Sequence, residues 1–327
     1  MDLRQRTKRF GLYVILWAFL LRLAADGIPQ KGLIWLLQDP VPFHIHEETG
    51  RNVRFSASSN VFSSHFRESP PPWFPKPAKK LFSSEDAQLL ELYNTSAKMP
   101  DPEALLRQPL DWDLSGSEPT VLILHTHTTE SYSPAEESYP ALSSYRTLDE
   151  AYNMLSIGST VAEILEKNGI GVVHDREVHD YPSYNGSYTH ARKAISGYLE
   201  QNPSILLILD LHRDAAGTSG KQLRTEVLTA DGVSAQLMLV QGTNFDTWEN
   251  NLSLAAKLHV QLEQQSPGIM RPLNVRSQRF NQDLCPGALL VEIGAAGNTR
   301  KEALAAAREL AEAIVALSRG STADTDG

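Results

Sequence analysis

From Thr120 onward, aliphatic runs alternate with helical periodicities. Val121 to Leu124 is a continuous apolar run ending at His125, the pattern of a buried strand. Met154, Ile157, Val161, Ile164 and Leu165 recur at helical spacing and predict a helix over Asn153 to Lys167 that stops at Asn168-Gly169. GVVHD from Gly171 reads as a second strand. Ser187 to Gln201 reads as a helix with Tyr188, Ala191, Ile195 and Tyr198 inward, and SILLILDLH from Ser204 as a central strand. Leu223 to Gly242 reads as two strands around Ala230-Asp231-Gly232, and Thr247 to Gln265 as a helix burying Trp248, Leu252, Ala255 and Leu262. ALLVEIG from Ala288 is another buried strand. Thr299 to Glu302 has capping-box spacing and opens a last helix running to Gly320. The sum is an α/β domain over residues 120–320, a mixed, mostly parallel sheet with helices on both faces, followed by a tail at 321–327.

The preceding chain has a different texture. Arg4, Arg6, Lys8 and Arg9 precede an apolar run from Phe10 to Ala25 broken by Arg22. A basic flank before an apolar run predicts a cytoplasmic N-terminus and a membrane anchor over residues 1–25, which exports the rest. The rival is a cleaved signal peptide using Ala24 and Ala25. Residues 26–119, with SPPPWFPKP at their centre and one helical patch near Glu85 to Tyr93, read as an irregular extracytoplasmic spacer. His44 and His46 in FHIHEE read as a solvated surface segment.

Of 327 residues 41% are hydrophobic, enough for a real core, and the net charge of −9 disfavours nucleic acid as a partner. The single cysteine, Cys285, excludes an intrachain disulfide and a cysteine-based metal site, and reads as a small buried residue. Any metal must rest on histidine and carboxylate.

Three predicted strands end in such groups. The first leads into His125, His127 and Glu130, the central one into Asp210, His212, Arg213 and Asp214, and ALLVEIG carries Glu292 before Gly294. Reactive groups of open α/β sheets collect beyond the carboxyl ends of central strands. Polar groups set on aliphatic strands need partners, and one shared cation satisfies several at once. Zn2+ accepts neutral imidazole and carboxylate without thiolate. His127, Glu130 and His212 form a candidate ligand set, with His125 the alternative first ligand. Asp210 and Arg213 are candidates for orienting a ligand or touching substrate, and Glu292 for the general base that takes a proton from zinc-activated water. A buried Glu292 paired with Arg213 or Arg224 is the structural alternative.

The motifs HTHTTESY (from His125), NMLSIGSTVAEILEKNGIGVVHD (from Asn153), HDYPSYNGSY (from His179), DLHRDA (from Asp210) and VEIGAAGNT (from Val291) resemble, in order and spacing, the stage II sporulation protein P family of cell-wall hydrolases. The resemblance covers about the last 200 residues. It implies a zinc amidase-like fold that cleaves the N-acetylmuramoyl-L-alanine bond of peptidoglycan during engulfment, with endopeptidase action on cross-links also credited to the family. It further implies stage II sporulation proteins D and M as partners, and His127 and His212 as ligands. Glu130 matches the motif as third ligand, although related amidases take a glutamate before the following helix, where this chain has Asp149 and Glu150. A catalytically idle wall-binding scaffold and a zinc hydrolase of another exported amide are the competing functions.

Overall fold

The computed structural model describes residues 54–56, 82–110, 113–134, 136–143, 145–218 and 221–319. The basic flank and apolar run of residues 1–25, His44, His46 and the tail lie outside the described residues. Within those described, no helix is long and apolar enough to cross a membrane.

Besides three short strands, Arg54–Ser56, Gly217–Thr218 and Lys221–Gln222, the strands in chain order are β1 (Leu92–Asn94), β2 (Pro119–Leu124), β3 (Gly171–His174), β4 (Leu207–Asp214), β5 (Glu226–Thr229), β6 (Gly232–Ala235), β7 (Leu237–Gly242), β8 (Leu273–Arg276) and β9 (Ala288–Ala295). The helices are α1 (Pro102–Arg107), α2 (Met154–Lys167), α3 (Ser187–Gln201), α4 (Trp248–Gln265) and α5 (Arg300–Arg319). Seven strands make the main sheet in the order β1-β8-β7-β9-β4-β2-β3. Every pairing is parallel except the β7–β9 seam, so β9, β4, β2 and β3 end on the same side.

The two faces of this sheet are packed differently. Val121, Ile123, Leu207, Leu209, Leu211, Leu289, Val291 and Ile293 point toward α2, α4 and α5 in one large apolar core. Each such side chain contributes about 1.5–3 kcal/mol on burial. On the other face α3 covers Leu122, Leu124, Ile208 and Ala288 through Ala191 and Ile195, and Cys285 joins this smaller cluster. Further along the same strands, that face carries Asp210, His212 and Glu292.

Helix ends follow local chemistry. Asn153 caps α2 by accepting from Leu155 N, and Gly169 follows its end at φ +79°. Thr299 and Glu302 form a reciprocal capping box at α5, with Glu302 N donating to Thr299 Oγ1 and Thr299 N to Glu302 Oε2.

Three expectations are corrected. The spacer is not irregular to its end: β1 pairs with β8, and Phe82, Leu90, Leu105 and Leu106 lie in the large core. Buried on α4, Lys257 donates from Nζ to Leu105 O (2.7 Å) and to Ser253 Oγ, tying α1 down. The helical patch at 85–93 is one short 3-10 turn (Asp86–Leu89) before β1, because its apolar residues serve a sheet edge. Finally, Leu223 to Gly242 forms three strands: β5 and β6 make a hairpin that Arg54–Ser56 joins as a third strand along β5, and β7 joins the main sheet after Gln236.

Candidate active site

The parallel register builds the site. On β4, Asp210 lies opposite Leu124 of β2 and Leu290 of β9, and His212 lies opposite Glu292. Residues paired this way share a face, so His212 and Glu292 stand side by side. Directly after Glu292 the register slips by one residue, and Gly294 adopts φ +65°. A Cβ there would come within 2.8 Å of Ala235 Cβ, so glycine is required for the bulge that ends the strand beside the site.

The turn after β2 is pinned at two threonines. Asp210 accepts from Thr126 N (2.8 Å) and Thr126 Oγ1 (2.7 Å). Asp180 accepts from Thr129 N (3.1 Å), Thr129 Oγ1 (2.7 Å) and Arg146 Nη1 (2.6 Å). Between them His127 is held against His212, with ring centroids 5.2 Å apart and planes nearly perpendicular. Two tyrosines wall the pair. Tyr184 stacks on His127 at 4.5 Å and sets its hydroxyl 3.1 Å from Nε2, while Tyr188 meets His127 edge-on.

The charges are strongly coupled. Burial and the neighbouring His212 lower the His127 pKa to about 4. Burial also opposes charge on His212, but Asp210, whose Oδ1 is 3.0 Å from Nε2, together with Glu130 and Glu292, raises it to about 9. Asp210 is held ionised at about 2 by His212 and Thr126 against the cost of burial. Burial raises Glu292 to about 8, only partly offset by His212.

Glu130 is buried and braced. Its Oε2 accepts from Arg213 N (3.2 Å) and lies 3.7 Å from His212 Nδ1, while its Oε1 accepts from Arg146 (3.2 Å). Burial works against this charge, yet Arg213, His212, His127 and Arg146 outweigh it and keep the carboxyl below its ordinary range. Arg213 also donates to Ser131 O and Tyr145 O, so it supports Glu130 from behind. It makes no ion pair with Glu292, and Arg224 goes instead to Glu226 and Glu302.

The structure thus brings together His127, Glu130, Asp210, His212, Arg213 and Glu292. It directs His125 elsewhere. The strand ends at Leu124 and the following residues turn, so strand parity does not carry from His125 to His127. The His125 ring lies under α2, with Nδ1 3.2 Å from Leu211 O and Nε2 2.9 Å from His174 Nε2, and is removed as a ligand candidate. Exposed Glu150 pairs with Arg176, and Asp149 accepts from Ala151 N in the turn before α2. Among the described contacts neither carboxylate meets the histidine pair. Sequence reasoning missed Arg146, Asp180, Tyr184 and Tyr188. The last two lie four residues apart in HDYPSYNGSY, a helical spacing that was available as a signal.

Two buried atoms here have no polar partner among the described contacts, His127 Nδ1 and Glu292 Oε2, while His212 Nε2 meets Asp210 Oδ1 at 3.0 Å. An orphaned imidazole nitrogen beside carboxylates suits a cation such as zinc. The donors are not drawn tight, since no group of three His, Cys, Asp or Glu among the described residues reaches metal-holding spacing.

Fold and site define an α/β protein with a histidine–carboxylate cluster at the carboxyl edge of a mostly parallel sheet. Solved structures similar to it include N-acetylmuramoyl-L-alanine amidase AmiC2 of Nostoc punctiforme, with TM-score 0.36 and 18% identity, covering 62% of this chain and 94% of that one. Another is the CwlD amidase from Clostridioides difficile in complex with the GerS lipoprotein, with TM-score 0.40 and 14% identity, covering 60% and 94%. The family model described as Stage II sporulation protein P (SpoIIP) matches residues 59–315, and the chain belongs to that family. Stage II sporulation protein P of Bacillus subtilis (strain 168) is 26% identical over 295 residues, 84% of this chain and 69% of that protein.

Proposed function

We propose that the protein is a peptidoglycan hydrolase that cleaves the amide between N-acetylmuramic acid and L-alanine during engulfment, with action on peptide cross-links as a second activity. The observation that carries this reading is the convergence of His127, Glu130, His212 and Glu292, with His127 Nδ1 and Glu292 Oε2 left without a polar partner. His127, Glu130 and His212 would hold a zinc ion, which supplies Lewis acidity toward the amide carbonyl and acidifies water. Glu292, beside His212, would be ionised by the charge of a cation bound there, and would then take the proton of the attacking water and return it to the departing amine. Asp210 holds the His127 turn through Thr126 and steadies His212. Arg213 and Arg146 keep Glu130 in place. The basic flank and apolar run of residues 1–25 support attachment to the cell membrane with the catalytic domain outside, and family resemblance supports stage II sporulation proteins D and M as partners.

Incubating the protein with purified peptidoglycan, with and without chelator, tests this. Chelator-sensitive release of stem peptides is expected. Split cross-links alone would make it an endopeptidase, and binding without release a scaffold. Glu130→Ala should lose zinc while Asp149→Ala and Glu150→Ala keep it; the reverse would move the third ligand to the start of α2.

A further inference from the structure

Tyr188 brings a phenol to the site from the first turn of α3. Its ring stacks toward His212, with centroids 6.4 Å and planes 18° apart, and meets His127 edge-on at 5.6 Å. Outside its helix, its described hydrogen bond is through the backbone oxygen, which accepts from Asn281 Nδ2 (2.9 Å), and its hydroxyl has no partner among the described contacts. Burial and the charges of Asp210, Glu292 and Glu130 hold the proton on that hydroxyl well above the ordinary phenol range. Neighbouring donors are already committed. Arg213 serves Glu130, Ser131 and Tyr145, Arg146 serves Glu130, Thr129 and Asp180, and Thr126 serves Asp210.

A strained turn places the ring. Phe280 and Asn281, consecutive and neither of them glycine, adopt φ +52° and +57°. Phe280 sets its ring 6.1 Å from Tyr188 while resting on Met238, Val240 and Leu290, and Met238 is the strand partner of Glu292. Arg192, one turn along α3, donates to Asn281 Oδ1 (3.4 Å) and to both oxygens of Asp283 (2.8 Å each). Gln282 ties the same turn to Val240 O and Gly242 N of β7. Tyr188 is thereby held against the strands that carry His212 and Glu292.

We propose that Tyr188 is a catalytic residue whose hydroxyl donates a hydrogen bond to the carbonyl oxygen of the scissile amide as that oxygen takes on negative charge. This rests on the amide hydrolysis proposed above, but on no metal ion. Water adds to the carbonyl carbon and gives its proton to Glu292, while the carbonyl electron pair moves onto oxygen, where the Tyr188 O–H meets it. Collapse re-forms the carbonyl and expels the amine, which takes the proton from Glu292; Tyr188 keeps its own proton throughout. The full chain is assayed on a soluble peptidoglycan fragment containing the N-acetylmuramoyl-L-alanine bond. Wild-type protein that leaves this bond intact would remove the hydrolase reading and this inference with it. If wild type cleaves it, Tyr188→Phe, which keeps the ring and loses the donor, should lower kcat about 100-fold, with KM within about threefold and an unchanged melting temperature. The same variant should bind a phosphinate analogue of the amide, which carries the tetrahedral oxyanion, more weakly by a similar factor. In wild-type protein labelled with carbon-13 at tyrosine Cζ, the Tyr188 signal should shift when the phosphinate binds, a readout that needs no variant to fold. Wild-type kcat in Tyr188→Phe, a raised KM alone, or an unshifted signal would overturn the assignment while leaving the hydrolase standing.

Discussion

The two faces of the sheet use the same strands for opposite purposes. Toward α2, α4 and α5, residues 207, 209 and 211 of β4 and 289, 291 and 293 of β9 are all aliphatic and buried. Toward α3, residue 208 is aliphatic, but 210 and 212 are Asp and His, and 292 is Glu. One face contributes the stability that holds the strands in register. The other spends part of it by placing charged and polar groups where Leu would be more stable. A site of this kind needs such an asymmetry, because its donors stay fixed only if the opposite face is packed tightly.

The comparison is broken most sharply by exchanging one residue on each face. Glu292→Gln removes a proton acceptor with almost no change in volume, and is expected to slow peptidoglycan hydrolysis at least about a hundredfold while the protein folds and keeps zinc. Loss of zinc would make Glu292 a ligand, and wild-type turnover would make it a structural group. His127→Ala and His212→Ala should abolish turnover and take bound zinc well below one per chain.

Across the sheet, Leu209→Ala should cost about 2–5 kcal/mol in urea unfolding, with the remaining folded protein turning over normally. A matching loss of specific activity would mean that the faces are not separable.

A smaller effect is expected at Gly158 on α2, where a Cβ would lie 2.6 Å from Nε2 of both His125 and His174. Alanine normally favours a helix over glycine by about 1 kcal/mol. Here overpacking should reverse that gain and destabilise by about 1–3 kcal/mol. Adding His174→Ala to Gly158→Ala should restore part of the loss, because it removes one of the two crowding rings and gives the His125 ring room to shift; no restoration would place the strain elsewhere.

The smallest effect concerns Lys257, whose pKa burial lowers to about 8 from an ordinary 10.5. Below pH 8 the amine is protonated in both folded and unfolded chains, and the folded state bears the full cost of the buried charge. Between pH 8 and 10.5 the unfolded chain binds more protons, so this group's contribution to stability rises with pH. The melting temperature of wild type relative to Lys257→Met should therefore increase from pH 8 to pH 10. A difference that stays constant would show that the amine does not titrate in that window.

Much of this was legible in the sequence because period and chemistry agreed. The limits of α3 follow from its apolar spacing, α2 and α4 begin one residue later than their patterns predict, and the α5 cap follows from Thr299 and Glu302. What escaped depended on distant partners. Leu92 to Asn94 looks like spacer because a three-residue edge strand carries no periodicity of its own. His125 and His127 look equivalent until the strand is seen to end between them. Arg146 and Asp180 are ordinary surface residue types in sequence, and only the fold brings them together over Thr129.

The attachment of the early chain has a mechanical consequence. A load pulling on Phe82 enters the domain at the margin of the sheet, through the three residue pairs of β1 with β8 and the burial of Leu105 and Leu106 on α4. Glu292 and His212 lie on β9 and β4, with β9 three strand spacings from β1, about 14 Å. Under tension the short ladder at the margin shears first, and β8 and β7 stand between it and the catalytic strands. A load applied at Phe82 is thus taken up by a three-residue ladder that lies away from the residues whose spacing the site depends on.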